Sequence, residues 1–488
     1  MALREQELLI DRGLVGGDWI EADDRDTFEV VNPATGEVLA QVPRMGVAET
    51  RRAIAAAADA FPAWRSLLAR ERSRILRRWG DLLVEHADDL ALLLTSEQGK
   101  PLAEAKAEIV YAASFLEWFG EEAKRVYGDT IPTYMHDRRV VVLKQPIGVS
   151  AGITPWNFPA AMPTRKAAPA LAAGNTMVMK PAEQTPLTAL AVAKLGQEAG
   201  LPDGVLSLVT GDADDAPRIG GELTSNPTVR KVGFTGSTEV GKLLMAQCSK
   251  QLKKISLELG GNAPFIVFDD ADLDAAVAGT VLCKYRNSGQ TCISANRILV
   301  QDGIYDAYLD ALVKTVTKLK VGAGTEPDVN VGPLIDDTGF AKVRRHVEGA
   351  VEGGASVVLG GRPHALGRTF FEPTVLVDVT PEMAMSCEET FGPVAGIARF
   401  ATEAEAVHAA NATPYGLAAY FYSRDVGRVW RVSEGLDYGI VGINTGFIST
   451  EVAPFGGVKE SGIGREGSKY GIEDWVELKY LAMAGLDA

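Results

Sequence analysis

The fold is decided by the segment VSAGIT, residues 149–154, a short apolar run that is followed by a helical pattern. Three more runs of this kind follow, each with its own helical pattern: residues 176–179, 205–209 and 231–234. Apolar strands that alternate with helices are typical of a parallel sheet covered by helices on both faces. The sequence therefore predicts an α/β fold.

The first 127 residues show mainly helical patterns. Residues 49–67 are rich in alanine, with Pro62 as an interruption, and residues 70–94 carry apolar side chains at helical spacing. Residues 138–144 contain the run VVVL and are predicted to be extended.

A second alternating block begins near Asn262, with PFIVF, residues 264–268, as its first strand. It continues through Val375 to a predicted strand at residues 438–444. The C-terminal residues 475–483 partly alternate between apolar and polar side chains, so we expect an edge strand there. An unpaired strand edge invites pairing with another subunit.

Composition excludes several function classes. The 488 residues are 46% hydrophobic and carry a net charge of −15, so a general binder of nucleic acid or of an anionic membrane is not expected. No apolar run is long enough to span a membrane, and the first residues lack the apolar core of a signal peptide.

The cysteines and histidines suggest neither a disulfide scaffold nor a metal site, because they are few, scattered and without ligand spacing. We expect free thiols in a reducing cytoplasm and no bound metal. These residues are Cys248, Cys283, Cys292 and Cys387, with His86, His136, His346, His364 and His408.

Cys292 differs from a typical structural cysteine because it ends the polar, glycine-bearing segment NSGQTC, residues 287–292. Glu258 precedes it in LELGGN, residues 257–262, and glycines permit close backbone approach. A nucleophilic sulfur with a separate carboxylate base suggests two-step covalent chemistry, in which attack is followed by hydrolysis.

These two segments resemble the signature segments of the aldehyde dehydrogenase superfamily. The resemblance covers nearly the whole chain and is closest to the bacterial succinate-semialdehyde dehydrogenases. Its other motifs are YGDTIP at 127–132, TPWNFP at 154–159, KPAE at 180–183, FTGST at 234–238, EETFGP at 388–393, PFGG at 454–457 and REGSKYGIED at 465–474.

The resemblance implies three structural parts. The Rossmann-type coenzyme-binding domain is expected to contain residues 1–127 and 148–257, and the α/β catalytic domain residues 258–474. Residues 128–147 and 475–488 are expected to form a small β element that bridges subunits in a homo-oligomer, either a dimer or a tetramer.

The resemblance also implies the catalytic roles. Cys292 attacks the aldehyde, and the side chain of Asn157 with the Cys292 backbone N–H stabilises the oxyanion. The hemithioacetal loses a hydride to a nicotinamide ring and becomes a thioester, and Glu258 activates the water that hydrolyses it. The presence of Glu258 disfavours a CoA-acylating relative, which must avoid hydrolysis.

For the cofactor, the resemblance implies NAD or NADP. Ser237 is expected at the phosphates, Lys180 with Glu183 at the adenosine ribose, and Glu389 with Phe391 at the nicotinamide ribose. Because a carboxylate accepts a hydrogen bond from a ribose 2′-hydroxyl but repels a 2′-phosphate, Glu183 favours NAD. The remaining predicted cofactor contacts are Thr154, Pro155, Trp156, Ala182, Gly236, Leu259 and Gly260.

Arg165 and Arg286 match the arginines that hold the distal carboxylate in succinate-semialdehyde dehydrogenases. Ser449 is a third predicted contact, and Phe158 and Phe455 complete the predicted substrate site. A guanidinium has a planar fork that suits a carboxylate. Alternatively, each arginine only pairs with a structural acid.

The predicted activity is the oxidation of succinate semialdehyde to succinate. Glutarate semialdehyde, or another carboxylate-bearing aldehyde, is the alternative within this class, since one methylene changes binding by only about 1–3 kcal/mol. A cysteine esterase is the alternative from another class, but it would need a histidine base, and none lies near Cys292 in the sequence.

Overall fold

The computed structural model describes residues 3–486. The chain begins with four short strands that precede the first long helix. They are β1 (Gly13–Val15), β2 (Asp18–Ile20), β3 (Thr27–Val31) and β4 (Val38–Pro43). Four helices follow, namely α1 (Val47–Ser66), α2 (Ala69–Glu85), α3 (Ala87–Gln98) and α4 (Leu102–Glu122).

The predicted interruption at Pro62 was wrong. Helix α1 runs through Pro62, because burial of Trp64, whose indole N–H donates to Leu171 O at 3.2 Å, anchors the last turn. The predicted helical pattern at residues 70–94 is confirmed, as two helices that meet at His86.

The first large sheet has the strand order β19-β11-β10-β7-β8-β9-β1-β2. Its five middle strands are parallel, whereas β1 and β19 pair antiparallel with their neighbours. Besides β1 and β2, this sheet contains β7 (Val149–Ile153), β8 (Thr176–Lys180), β9 (Leu206–Leu208), β10 (Val229–Thr235), β11 (Lys254–Glu258) and β19 (Gly462–Ile463). Its helices are α5 (Ala161–Ala173), α6 (Pro186–Glu198), α7 (Ala216–Ser225) and α8 (Thr238–Ser249).

The second large sheet has the order β14-β15-β16-β13-β12-β17-β18, and only β14 is antiparallel. Its strands are β12 (Ala263–Val267), β13 (Ala295–Gln301), β14 (Ser356–Leu359), β15 (Thr374–Val377), β16 (Val394–Phe400), β17 (Ala418–Tyr422) and β18 (Ile440–Ile443). Its helices are α9 (Leu273–Tyr285), α10 (Tyr305–Val316), α11 (Asp337–Glu352), α12 (Ala384–Cys387), α13 (Glu403–Asn411) and α14 (Val426–Gly435).

A small antiparallel sheet contains β5 (Asp129–Ile131), β6 (Arg139–Pro146) and β20 (Val476–Met483), in the order β20-β6-β5. The predicted extended segment and the predicted C-terminal edge strand both belong to it. The predicted ranges 1–127 and 475–488 include residues 1, 2, 487 and 488, which lie outside the described residues.

The predicted α/β fold class is confirmed by the two mainly parallel sheets. Alternating segments became parallel strands because their apolar side chains are buried by helices on both faces, as at Val178 and Phe265. Among residues 3–486, no helix is long and apolar enough to cross a membrane.

Candidate active site

A cavity of about 450 Å³ lies at the carboxyl ends of β7, β10 and β11. Strand ends of the first large sheet and the loops that lead into β13 and β16 of the second line it. Ligands of open α/β sheets bind at the carboxyl ends of the strands. Its predicted site residues are Cys292, Glu258, Asn157, Pro155, Trp156, Phe158, Arg165, Gly236, Ser237, Leu259, Gly260, Arg286, Glu389, Phe391, Ser449 and Phe455.

The thiol of Cys292 lines the cavity from the loop that leads into β13. Burial, together with the negative charges of Glu389 and Glu258, raises the pKa of Cys292 to about 12. The loop before it adopts left-handed backbone angles, with φ of 52° at Asn287 and 74° at Gly289. A Cβ at Gly289 would lie 2.1 Å from Gly392 O, so this turn requires glycine.

The carboxylate of Glu258 ends strand β11, and both of its oxygens are buried without a hydrogen-bond partner among residues 3–486. Burial and the charge of Glu466 raise the pKa of Glu258 well above its usual value, while Arg165 acts in the opposite direction. A base with a raised pKa is better matched to proton transfer near neutral pH.

Close packing joins the loop after Glu258 to the loop that carries the thiol. A Cβ at Gly261 would lie 2.4 Å from the carbonyl oxygen of Cys292. The Gly261 N–H donates to Glu389 at 3.3 Å. Gly261 therefore permits close approach of the loop that carries Cys292.

The amide of Asn157 is buried at the cavity wall. Its Nδ2 donates one hydrogen bond to Gln290 O at 3.2 Å, which leaves its second N–H for a ligand. The Gln290 carbonyl also accepts from Asn287 Nδ2 at 3.1 Å, so the amide lies against the turn that precedes Cys292.

Lys100 was missed by the sequence reasoning, although it holds Asn157 in place. Its ammonium group is buried and donates to Asn157 O at 2.8 Å and to Glu108 Oε2 at 2.5 Å. Glu108 also accepts from the N–H of Ala160 at 2.9 Å. The sequence contained one signal for this contact: Glu108 lies on the apolar face of α4, one turn after Ala105, where a carboxylate needs a buried partner.

Glu104, one turn before Glu108 on α4, supports the turn that precedes Cys292. Its carboxylate accepts from the Asn287 N–H at 2.7 Å, and Asn287 Nδ2 donates to Asn157 O at 3.1 Å. Two carboxylates on one helix thus support both Asn157 and the turn before Cys292.

The two predicted substrate arginines differ in their partners. Arg165 is buried and forms an ion pair with Glu466 at 2.9 Å, as the structural alternative expected, although its guanidinium still lines the cavity. Arg286 forms no ion pair among residues 3–486. It lies 3.5 Å from Ser449 Oγ and 5.7 Å from the ring centre of Phe158.

Residues on the opposite side of the cavity suit a dinucleotide. Ser237 caps the N-terminus of α8, where helix N–H groups favour phosphate, and Gly236 precedes it. The hydroxyl of Thr235 is buried there without a partner among the described residues. The Trp156 and Phe391 rings pack edge to face, with their centres 5.5 Å apart.

Four predicted cofactor residues lie outside this cavity: Thr154, Lys180, Ala182 and Glu183. Lys180 Nζ donates to Pro181 O at 3.2 Å and lies 3.4 Å from Glu183 Oε2. Glu183 lines a second cavity of about 360 Å³, together with Asp212 and Asp214.

Comparison with known proteins identifies the family. Residues 19–481 match the aldehyde dehydrogenase family. The chain belongs to this family. It is therefore an NAD(P)-dependent oxidoreductase that acts on small-molecule aldehydes, and the predicted enzyme class is confirmed.

Relatives within the aldehyde dehydrogenase family cover the whole chain. It is 63% identical over 486 residues to a glutarate-semialdehyde dehydrogenase of Pseudomonas aeruginosa, with 100% of both chains covered. It is 60% identical over 483 residues to an NADP(+) succinate-semialdehyde dehydrogenase of Escherichia coli K12, covering 99% of this chain and 100% of that one. A crystal structure of succinate-semialdehyde dehydrogenase from Burkholderia pseudomallei has a TM-score of 0.98 and 61% identity, and covers 99% of this chain and 100% of that one.

Proposed function

We propose that this aldehyde dehydrogenase oxidises succinate semialdehyde to succinate and prefers NAD. The observation that carries the substrate proposal is the guanidinium of Arg286, which lines the cavity without an acidic partner among the described residues and lies beside Ser449. A charged hydrogen-bond donor in a largely apolar cavity favours a substrate with a negative end.

The chemistry begins at Cys292. Its thiol gives up a proton to solvent, and the thiolate sulfur forms a bond to the aldehyde carbon. The π-electron pair of the carbonyl moves to its oxygen, which becomes an oxyanion. The free N–H of Asn157 Nδ2 and the Cys292 backbone N–H donate to this oxygen; removal of one such donor typically costs about 2.7–4 kcal/mol. Lys100 keeps the Asn157 backbone in position through its hydrogen bond to the carbonyl.

NAD(P), when bound, supplies a nicotinamide ring that accepts the hydride from the former aldehyde carbon. The protein then carries a thioester on Cys292. Glu258 accepts a proton from water as the water attacks the thioester carbonyl carbon. The carbon–sulfur bond breaks and releases the carboxylic acid, and the Cys292 thiolate takes back the proton from Glu258, which restores the thiol and the carboxylate.

NAD preference is supported by the negative charge around Glu183. Asp212 and Asp214 line the same cavity as Glu183, so a 2′-phosphate near this carboxylate would meet several negative charges. NADP is the alternative cofactor, because the relative from Escherichia coli is named for NADP(+) and because Lys180, which lies beside Glu183, is a basic residue.

Glutarate semialdehyde is the second candidate substrate, because the Pseudomonas aeruginosa relative is named for it. It has the same negative end and one more methylene. A cysteine esterase is disfavoured because the wall formed by Trp156 and Phe391, with the turn at Gly236, suits a nicotinamide cofactor.

Steady-state kinetics with a panel of aldehydes test the proposal. Succinate semialdehyde, glutarate semialdehyde, butanal and pentanal are compared, each with NAD and with NADP. The account expects kcat/KM to be highest for succinate semialdehyde with NAD. A higher value for glutarate semialdehyde supports the second candidate, equal values for charged and neutral aldehydes reject both, and ester hydrolysis without NADH formation identifies an esterase.

We also propose a homo-oligomer in which β20 pairs with another copy of the chain. The strand lies at the edge of its sheet, with 69% of Leu478 and 57% of Tyr480 exposed. An open apolar edge of this kind is a template for strand pairing. Light scattering coupled to size-exclusion chromatography is expected to show a dimer or a tetramer, and a monomer would contradict this proposal.

A cytoplasmic location is proposed from the cysteines. All four are free thiols, and free thiols persist in reducing compartments. Cell fractionation with an antibody against the protein tests this, and recovery in an oxidising compartment would contradict it.

A further inference from the structure

The hydroxyl group of Tyr111 takes no part in the proposed chemistry at Cys292 or in the contact between Arg286 and Ser449. Tyr111 lies on α4 and lines the active-site cavity, and its hydroxyl oxygen is buried without a hydrogen-bond partner among residues 3–486. A buried polar atom left without a partner is unfavourable, so such atoms are rare in native proteins and call for an explanation.

Some other unpartnered atoms in the cavity have proposed roles. The Glu258 oxygens are proposed to activate the hydrolytic water, and the Thr235 hydroxyl lies in the part of the cavity that suits the cofactor. Tyr111 lines the same cavity as Arg165 and Arg286. Burial raises the pKa of Tyr111, and both arginine charges act against this increase.

Packing holds the Tyr111 ring in place. It packs edge to face on Phe115, with ring centres 4.8 Å apart, and Phe115 in turn lies 5.6 Å from the Arg165 guanidinium. A hydroxyl on a ring held in this way provides a preorganised donor and loses little freedom when a ligand binds.

We propose that the Tyr111 hydroxyl donates a hydrogen bond to the distal carboxylate of the substrate, beside the guanidinium of Arg286. This inference rests on the proposed function and adds a residue that determines specificity. The hydroxyl would then have a partner only when an anionic aldehyde is bound, which explains why it has none in the protein alone. A neutral aldehyde of the same chain length leaves it unpaired.

Tyr111→Phe tests the inference because it removes one oxygen atom and keeps the ring. Since a hydrogen bond to a charged group is involved, kcat/KM for succinate semialdehyde, or for glutarate semialdehyde if that is the better substrate, should fall about tenfold or more. The value for butanal or pentanal should change by less than about twofold, because no hydrogen bond to that substrate is lost.

Tyr308→Phe is the matched control. Its hydroxyl lies 2.6 Å from Thr280 Oγ1 and is buried outside the cavity, so its loss should lower the melting temperature without changing the ratio between charged and neutral aldehydes.

Arg286→Ala is measured in parallel to separate the two proposals. One outcome is that the wild type prefers the charged aldehyde, Arg286→Ala loses this preference, and Tyr111→Phe keeps the wild-type ratio of kcat/KM between charged and neutral aldehydes. The Tyr111 inference is then wrong, and the proposed function stands. An equal loss for charged and neutral aldehydes in Tyr111→Phe also overturns it, because the hydroxyl would then be structural. If the wild type does not prefer an anionic aldehyde, both proposals fail.

Discussion

The ammonium group of Lys100 donates a 2.8 Å hydrogen bond to the carbonyl oxygen of Asn157, the proposed oxyanion donor. The same nitrogen pairs with Glu108 at 2.5 Å, and both side chains are buried. Lys100 and Glu108 thereby support the wall of the proposed oxyanion site from outside the cavity.

Lys100→Met should therefore lower kcat by a larger factor than it raises KM, with succinate semialdehyde or with glutarate semialdehyde as the substrate. Asn157 would lose the contact that orients it, and because a misplaced oxyanion donor loses much of its effect, kcat should fall about tenfold or more. Stopped-flow measurement of NADH formation isolates this change from product release.

Removing Lys100 alone also leaves Glu108 as an unpaired buried charge, which destabilises the fold. The double variant Lys100→Met with Glu108→Gln removes both charges, and Lys106→Met, an exposed lysine on α4 paired with Asp88, is the matched control. Wild-type kcat in the folded double variant would show that this contact does not support the oxyanion site.

Alkylation of Cys292 without cofactor should depend steeply on pH. Burial raises the pKa of this thiol to about 12, and only the thiolate is nucleophilic. The thiolate fraction, and with it the rate, should rise about tenfold for each pH unit between pH 7 and pH 9. Mass spectrometry of the iodoacetamide-treated peptide follows it, with exposed Cys387 as the internal comparison. A rate that levels off below pH 9 would contradict the raised pKa.

Lys284→Met should stabilise the protein. The Lys284 amine is fully buried and has no hydrogen-bond partner among the described residues, and burial lowers its pKa from 10.5 to about 8. Replacement by an apolar side chain of similar length removes this unpaired group, a change of about 1–3 kcal/mol in the free energy of unfolding.

The stabilisation by Lys284→Met has a definite pH dependence. Between pH 8 and pH 10.5 the unfolded chain binds a proton that the folded chain does not, so wild-type stability rises with pH. The advantage of the variant should be full below pH 8 and shrink toward pH 10.5. Thermal unfolding measures it, with exposed Lys314→Met as the control, and a destabilised variant at pH 7 would show that the amine has an undetected partner.

Glu183→Ser should shift cofactor preference toward NADP. The variant removes the carboxylate proposed to face the 2′ position, so the kcat/KM ratio of NADP over NAD should rise; one charged contact is worth about tenfold. Glu198→Ser, an exposed glutamate paired with Lys194, should leave the ratio unchanged. A wild type that already prefers NADP would disprove this interpretation of Glu183.

Much of the fold was predictable because its signals are local. The strand at 149–154 and its neighbours are apolar runs buried on both faces, so their composition alone shows them. Strands β1 and β2 were missed because a strand of three residues is too short to show an alternation of apolar and polar side chains. They join the first sheet only because β1 pairs with β9, which lies nearly 200 positions later in the chain.

Motifs were enough to select Cys292, Glu258 and Asn157 as the proposed catalytic residues, and the structure brings all three to one cavity. Lys100 and Tyr111 were not predictable in this way. Lys100 follows a helix end at Gly99, and Tyr111 sits in an ordinary helical pattern. Only the tertiary packing of α4 reveals that Lys100 contacts Asn157 and that Tyr111 lines the cavity.

The most direct test of the account is the selectivity of Arg286→Ala. The ratio of kcat/KM for succinate semialdehyde over butanal is measured in wild type, in Arg286→Ala and in the exposed control Arg362→Ala, which pairs with Glu372. We expect the ratio to fall about tenfold or more in Arg286→Ala alone, because a charged hydrogen bond to the distal carboxylate is lost. An equal loss of kcat/KM for both aldehydes would contradict the account and leave an aldehyde dehydrogenase without a charged-substrate site at Arg286.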